Sequence, residues 1–116
     1  MATFTGKNSA TDIDFVLTDS TVGNTAVDDI FGGAATVHSL FLEAPSGTQH
    51  YKFYENSDPT VGSTAPDFIF KVTEPVVWTI IEGVSFDNFS YAVVDEPGTG
   101  GTTAPTPTCK LHAVVR

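Results

Sequence analysis

Basic residues are scarce in this sequence. Five Lys and Arg stand against fourteen Asp and Glu, for a net charge of −9. Nucleic-acid binding by phosphate neutralisation needs clustered cations and is excluded on that ground. Cysteine is nearly absent too. The single Cys109 permits no intrachain disulfide, as fits a chain folding in a reducing compartment. No apolar run approaches the ~20 residues of a membrane span. The opening MATFTGKNSA has no basic stretch leading into an apolar one, so neither a secretory signal nor a membrane partner is expected. Charged residues of both signs make up only 16% of the chain, under the usual ~25%. Thr, Ser, Gly and Pro take their place, and these are residues of strands and turns.

Aromatics, by contrast, are present: one Trp, three Tyr and nine Phe in 116 residues. A chain of this length buries roughly two-thirds of its unfolded surface, so one domain can form without metal or disulfide support. Its centre is the stretch 51–70, YKFYENSDPTVGSTAPDFIF. In Tyr51–Glu55 and again in Asp67–Val72, apolar side chains alternate with a period of two, the mark of a half-buried strand. Between them, Pro59 and Pro66 rule out a helix or a mid-sheet strand and stiffen a long loop.

The same periodicity predicts further strands at Ile13–Leu17, Ala35–Glu43, Val76–Glu82, Phe89–Asp95 and Thr108–Val115. Turns are expected at Thr18–Asn24 and Gly83–Asn88, with a Pro/Gly/Thr loop over Glu96–Pro107. Ala44–Thr48 has the length of a hairpin turn, and Glu74-Pro75 should join a second strand pair. Thr25–Phe31 is the one place where a short helical turn is expected before Gly32-Gly33 stops it. Residues 1–12 read as an extended arm that pairs through Thr3–Thr5, and residues 13–116 as the domain. Seven or eight short strands without helical crossovers predict an all-β, single-domain β-sandwich of jelly-roll-like arrangement.

No motif carries catalysis. His38, His50 and His112 fall in or beside strands, and no G-x-S-x-G elbow accompanies them. His38 and His112 are expected to be partly exposed, and His50 to start a strand. Asp12 and Asp14 share a strand face, but no calcium-loop pattern surrounds them. One cysteine with scattered histidines offers no zinc spacing. The run Gly98–Gly101 lacks the lysine and the following helix of a phosphate loop. The expectation is therefore a non-enzyme without cofactor or metal. Trp78, Tyr54 or Tyr91 could stack on a sugar ring, but core packing is the commoner fate of strand aromatics.

What remains is assembly. Apolar residues on both faces of 35–43, 76–82 and 89–95 exceed the needs of a lone sandwich, which points to a protein interface, commonly in a symmetric oligomer. Phe31, Tyr54, Phe86 and Phe89, near loops, are residue types that anchor such contacts. Phe4 in the arm and Asn56, Pro59, Val61 and Pro66 in the stiff loop complete the candidate contact set. Gly62-Ser63-Thr64-Ala65-Pro66 and Gly101-Thr102-Thr103-Ala104-Pro105 place similar rigid loops before two strands.

The order of elements from residue 49 onward resembles a family. Tyr51–Pro66, then Gly83-Val84-Ser85-Phe86, then Phe89-Ser90-Tyr91-Ala92-Val93, the Thr103-Ala104-Pro105 loop and the closing Val114-Val115-Arg116 look like small structural proteins of tailed bacteriophages, often those of aquatic and cyanobacterial hosts. Glu82, Asp87 and Asn88 depart from the simpler glycine-rich run usual there, and residues 1–48 match only loosely. The resemblance implies a capsid decoration or cement protein that folds in the host cytoplasm and sits on the virion. It would bind the major capsid protein as a homo-oligomer, a trimer being favoured, and stabilise the expanded head. A head-fibre, vertex-knob or tail-associated β module is the alternative, followed by a carbohydrate-binding sandwich.

Overall fold

The computed structural model describes residues 2–4, 15–43 and 47–115. Eight strands form: β1 (Ala2–Phe4), β2 (Phe15–Val22), β3 (Ala35–Glu43), β4 (Gln49–Tyr54), β5 (Phe68–Val72), β6 (Val76–Phe86), β7 (Ser90–Val94) and β8 (Cys109–Val115). They make two antiparallel sheets, one of order β1-β2-β8-β3-β6 and one of order β5-β4-β7, with no helix among the described residues. The fold is the expected all-β sandwich.

Its topology is that of one long hairpin rolled up. β2 pairs with β8, β3 with β6 and β4 with β5. The remaining rung, opposite β7, is supplied by the segment around Val27, which forms an isolated antiparallel bridge to Tyr91. This nesting of the first half of the chain against the second is the jelly-roll pattern. Here one strand is reduced to a bridge.

That bridge corrects the helical expectation for Thr25–Phe31. Val27 N–H donates to Tyr91 O at 2.9 Å, Tyr91 N–H returns the bond at 3.2 Å, and Ile30 N–H reaches Phe89 O at 3.1 Å. A ladder edge with unpaired backbone groups outcompetes two turns of weak helix, and the segment thereby covers β7. Two expected hairpins are corrected as well. β3 and β4 lie in different sheets, and so do β5 and β6. Proline fixes φ at Pro75 and holds Glu74 extended. The connection therefore arches from sheet to sheet where a tight hairpin would need positive φ.

Of the expected turn at Thr18–Asn24, Thr18–Val22 is instead the second half of β2, with an irregularity between Asp19 and Val22, and the chain leaves the strand only at Gly23-Asn24. The Asp19 carboxylate accepts Thr21 N–H at 3.0 Å, so the turn-forming side chain makes a bulge without ending the strand. Likewise β6 runs through Gly83 to Phe86, with a register shift opposite Val37–Ser39. Gly83 has φ 81°, and a Cβ there would sit 2.3 Å from Thr36 Cγ2 and 2.9 Å from the His38 ring. His38 is accordingly buried in the bulge rather than partly exposed, and its two ring nitrogens find no partner among the described residues.

Between the sheets, Leu17, Val37, Leu40, Leu42, Leu111 and Val115 from the larger one meet Tyr51, Phe53, Tyr91 and Val93 from the smaller. Two phenols stitch the layers together. Tyr51 OH lies 2.7 Å from Glu43 O and 2.6 Å from Lys110 O, and accepts Glu43 N–H at 3.2 Å. Tyr91 OH donates to the buried Asp19 carboxylate at 2.9 Å. Cys109 is fully buried, and burial pushes its thiol pKa up.

The smaller sheet is covered on its outer face too. Lys52 is fully buried there, its ammonium 2.5 Å from Gly98 O and 3.3 Å from Gly101 O. Desolvation lowers its pKa, and the nearby Glu96 carboxylate offsets part of that. Glu96 accepts the N–H groups of Thr102 and Thr103 at 3.0 and 3.1 Å and so shapes the same loop. The two similar Pro/Gly/Thr loops meet here. Gly62 (φ 94°) packs so closely that a Cβ would come 2.5 Å from Thr102 Cγ2.

Candidate protein-docking flank

Of the contact residues expected from sequence, four are buried: Pro59 and three aromatics. Tyr54, Phe86 and Phe89 are 1%, 3% and 0% exposed, which leaves no surface to offer a partner. The reason is the roll of the chain. Phe89 lies at the centre of a ring cluster with Phe31 (5.2 Å), Phe86 (4.9 Å), Phe53 (5.6 Å) and Tyr91 (5.7 Å). Phe31 is half-buried and stacks onto this cluster instead of facing outward. Tyr54 lies on the outer face of β4, and its hydroxyl has no partner among the described residues. Phe4 pairs through its backbone opposite Leu17, and its side chain, like Asp12 and Asp14, falls outside the described residues.

The stiff loop is a corner held by its own bonds. Ser63 and Thr64 N–H groups donate to Thr60 O, Thr64 Oγ1 accepts Thr60 N–H, and Asp67 N–H reaches Phe53 O. Pro59 is buried, while Asn56 is exposed and Val61 and Pro66 are partly so. The Asn56 carbonyl accepts the Ser90 hydroxyl at 2.6 Å, and that hydroxyl accepts Asp29 N–H at 2.8 Å. An open polar cleft of about 260 Å³ separates Pro59, Thr60 and Val61 from Asn24, Thr25, Ala26 and Asp28. The Asp28 carboxyl pKa is raised by desolvation and by the Asp58 charge, so this rim is acidic and self-repelling.

The concentrated apolar surface lies elsewhere, where β5 and β6 end their respective sheets on the same flank. Val76, Val77 and Trp78 are 42%, 61% and 37% exposed, the large hydrophobic side chains left most open among the described residues. With Leu42, Phe70, Lys71 and Val72 they line a cavity of about 220 Å³. The register explains the strip. Val76 and Trp78 face Leu42 and Leu40 across the ladder, so they point inward at a place where no further strand among the described residues closes the sandwich. Val77 points outward beside Phe41, which tilts against His112 at 5.6 Å.

Trp78 is held rigidly. Its ring meets Phe70 edge-on at 4.8 Å, Phe70 meets Phe53 at 5.5 Å, and Phe53 meets Phe89. A continuous aromatic chain thus runs from the core to this surface. Such a preformed apolar wall loses little side-chain entropy when covered. Apart from Lys71, the cavity offers a sugar no charged or hydroxyl side chain, and it suits an apolar occupant.

The surplus of apolar residues in strand 76–82 was visible in the sequence. That Val76, Val77 and Trp78 would be its open members required knowing that β6 is an edge. His50 and His112 are placed in strands as expected, with His50 Nδ1 2.9 Å from Asp95 O. No group of three or more metal-ligating side chains converges among the described residues. Nor is any described helix long and apolar enough to cross a membrane. Compared with protein-family profiles, curated proteins and solved structures, the chain matches none.

Proposed function

We propose that this chain is a virion structural protein of the capsid decoration type, which binds the outer surface of an expanded head and holds neighbouring subunits of the major capsid protein. The observation that carries the reading is the strip Val76, Val77 and Trp78, a rigid apolar flank on an otherwise acidic chain of net charge −9. Apolar patches rimmed by polar surface mark protein-docking sites. The likeness of residues 49–116 to small phage structural proteins supplies the partner class. The action is mechanical: a protein that binds only the expanded shell stabilises that state by mass action. Trimers on the lattice fit this role, since a shared contact lets weak single sites act together.

The test is co-sedimentation of purified protein with expanded, undecorated heads of the phage that encodes it, with shell melting followed by calorimetry. Binding with a rise in shell melting temperature is expected. Failure to bind such heads at micromolar concentration overturns the proposal. Binding only at a vertex or on the tail, seen by labelled electron microscopy, moves the protein to another part of the virion and overturns the decoration role.

A further inference from the structure

We infer that the free edge of β6 takes an extended apolar segment of a partner protein as an added strand, with basic residues at the ends of that segment. The inference rests on reading this flank as a docking surface and names what docks there.

Three features lead to it. First, β6 is the terminal strand of its sheet, and the stretch Val76–Thr79 is in regular register with Leu42–Ser39 on its other side. Alternate backbone N–H and C=O groups of that stretch therefore face outward with no strand to meet them among the described residues, the arrangement that strand addition uses. The opposite flank differs, because the segment around Val27 already covers β7 there.

Second, the cavity beside this edge is walled by Phe70, Val72, Val76 and Trp78 and measures about 220 Å³. An apolar cavity of ~150 Å³ accepts a benzene-sized group, so one large apolar side chain of the added strand fits. Backbone bonds then supply attachment and the cavity supplies selection.

Third, charge sets the ends. Glu74 precedes the strand, and Glu82 lies three residues beyond its regular stretch Val76–Thr79. Both are exposed, and neither is held in an ion pair among the described residues. Lys71 adds one positive charge on the β5 wall of the cavity. Basic residues therefore belong at the two ends of the segment, beside the glutamates, with uncharged residues over the cavity. A second copy of this chain fits poorly, because it would bring another net charge of −9 and another pair of glutamates to the same edge.

The chain carries a built-in probe, since Trp78 is its only tryptophan. The ligand for the test is a seven-residue peptide of alternating Val and Thr with Phe at its centre and Lys at both ends. Two controls accompany it, one with Glu at both ends and one N-methylated at alternate residues to remove one hydrogen-bonding edge. A blue shift of Trp78 emission is expected with the Lys-ended peptide, with at least fivefold weaker binding for the Glu-ended peptide and loss of binding for the methylated one. The double variant Glu74→Lys, Glu82→Lys, both at exposed positions, should reverse the preference between Lys and Glu ends.

Absence of any shift up to about 5 mM peptide overturns the inference. Equal binding of the methylated peptide shows a simple apolar pocket and overturns strand addition. Concentration-dependent dimerisation in light scattering that is abolished by Val77→Lys assigns the edge to a second copy and likewise overturns it. If expanded heads still bind a Val77→Lys variant at full affinity, the docking of partners at this edge fails while the decoration role stands. If the peptide binds and heads do not, the decoration role fails alone.

Discussion

Raising the pH above 10 should unfold this domain through its phenols. Tyr51 and Tyr91 are both fully buried, with hydroxyls bonded between the two sheets. Burial is the larger cause that raises their pKa. For Tyr51 the neighbouring Cys109 adds to it, and for Tyr91 the Asp19 carboxylate does so. An unfolded tyrosine titrates near 10. Below that pH both states keep the proton, and the phenols confer no pH dependence. Above it only the unfolded chain releases the proton, so stability falls as pH rises. Each suppressed ionisation costs RT ln(1 + 10^(pH−10)), about 1.4 kcal/mol at pH 11 and about 2.7 at pH 12. The two together cost about 2.8 and 5.4 kcal/mol, against the ~5–15 kcal/mol of a typical domain. Tyr54 is buried as well, and desolvation raises its pKa in the same direction.

The assay is urea unfolding at half-unit steps from pH 9 to 12, in a Cys109→Ala background so that the thiol adds no proton. Tyrosinate absorbance at 295 nm is read in parallel. Above pH 11 stability should fall with a slope approaching two to three protons, and absorbance should rise together with loss of near-ultraviolet dichroism. Tyr51→Phe should flatten the slope by one proton and, by leaving the Glu43 and Lys110 carbonyls without their donor, cost about 1–3 kcal/mol at neutral pH. Phenols that ionise near pH 10 in a folded protein would refute the reasoning.

Other perturbations separate the remaining parts. Gly83→Ala meets both a positive φ and Thr36 Cγ2 at 2.3 Å, and should cost about 2–3 kcal/mol in chemical denaturation, with Thr36→Ser restoring part of it. Lys52→Met keeps much of the buried volume but removes the donor to Gly98 and Gly101, so amide exchange across 96–104 should quicken while the core stays protected. Tyr91→Phe leaves the buried Asp19 one donor short and should cost about 1.5–3 kcal/mol, read as a lower urea midpoint. Val77→Lys, at a position 61% exposed, should change stability by less than about 0.5 kcal/mol while weakening the proposed attachment to heads.

Much of this structure is legible in residue order. The alternation through Tyr51–Tyr54 told which side chains face the core, and Tyr51 and Phe53 are there, with Lys52 and Tyr54 on the opposite face. What alternation cannot convey is the partner of each strand. Ala35–Glu43 and Gln49–Glu55 look like a hairpin because their connection is short, yet a short arch between layers has the same length. The loop aromatics misled for a related reason. Phe86 and Phe89 flank a turn, where exposure is common, but the roll of the sheets carries that turn over the end of the core. Asp19-Ser20 has turn chemistry that was spent on a bulge. The apolar strip was half visible: the strand was evident, its place at the edge was not.

The nested pairing also governs how the domain can be assembled and divided. Phe53 pairs with Phe68 across one loop, whereas the backbone of Phe15 pairs with that of Val115 across nearly the whole chain. Each rung from the inside outward closes a longer loop, so folding should zip from β4–β5 toward β2–β8 and be slow for the domain's size. Neither half holds a complete sheet of its own. A nick in 56–66 should therefore give two fragments, each unfolded when alone, that recover the sandwich when mixed. Structure persisting in the isolated first fragment would show that the rungs are not interdependent.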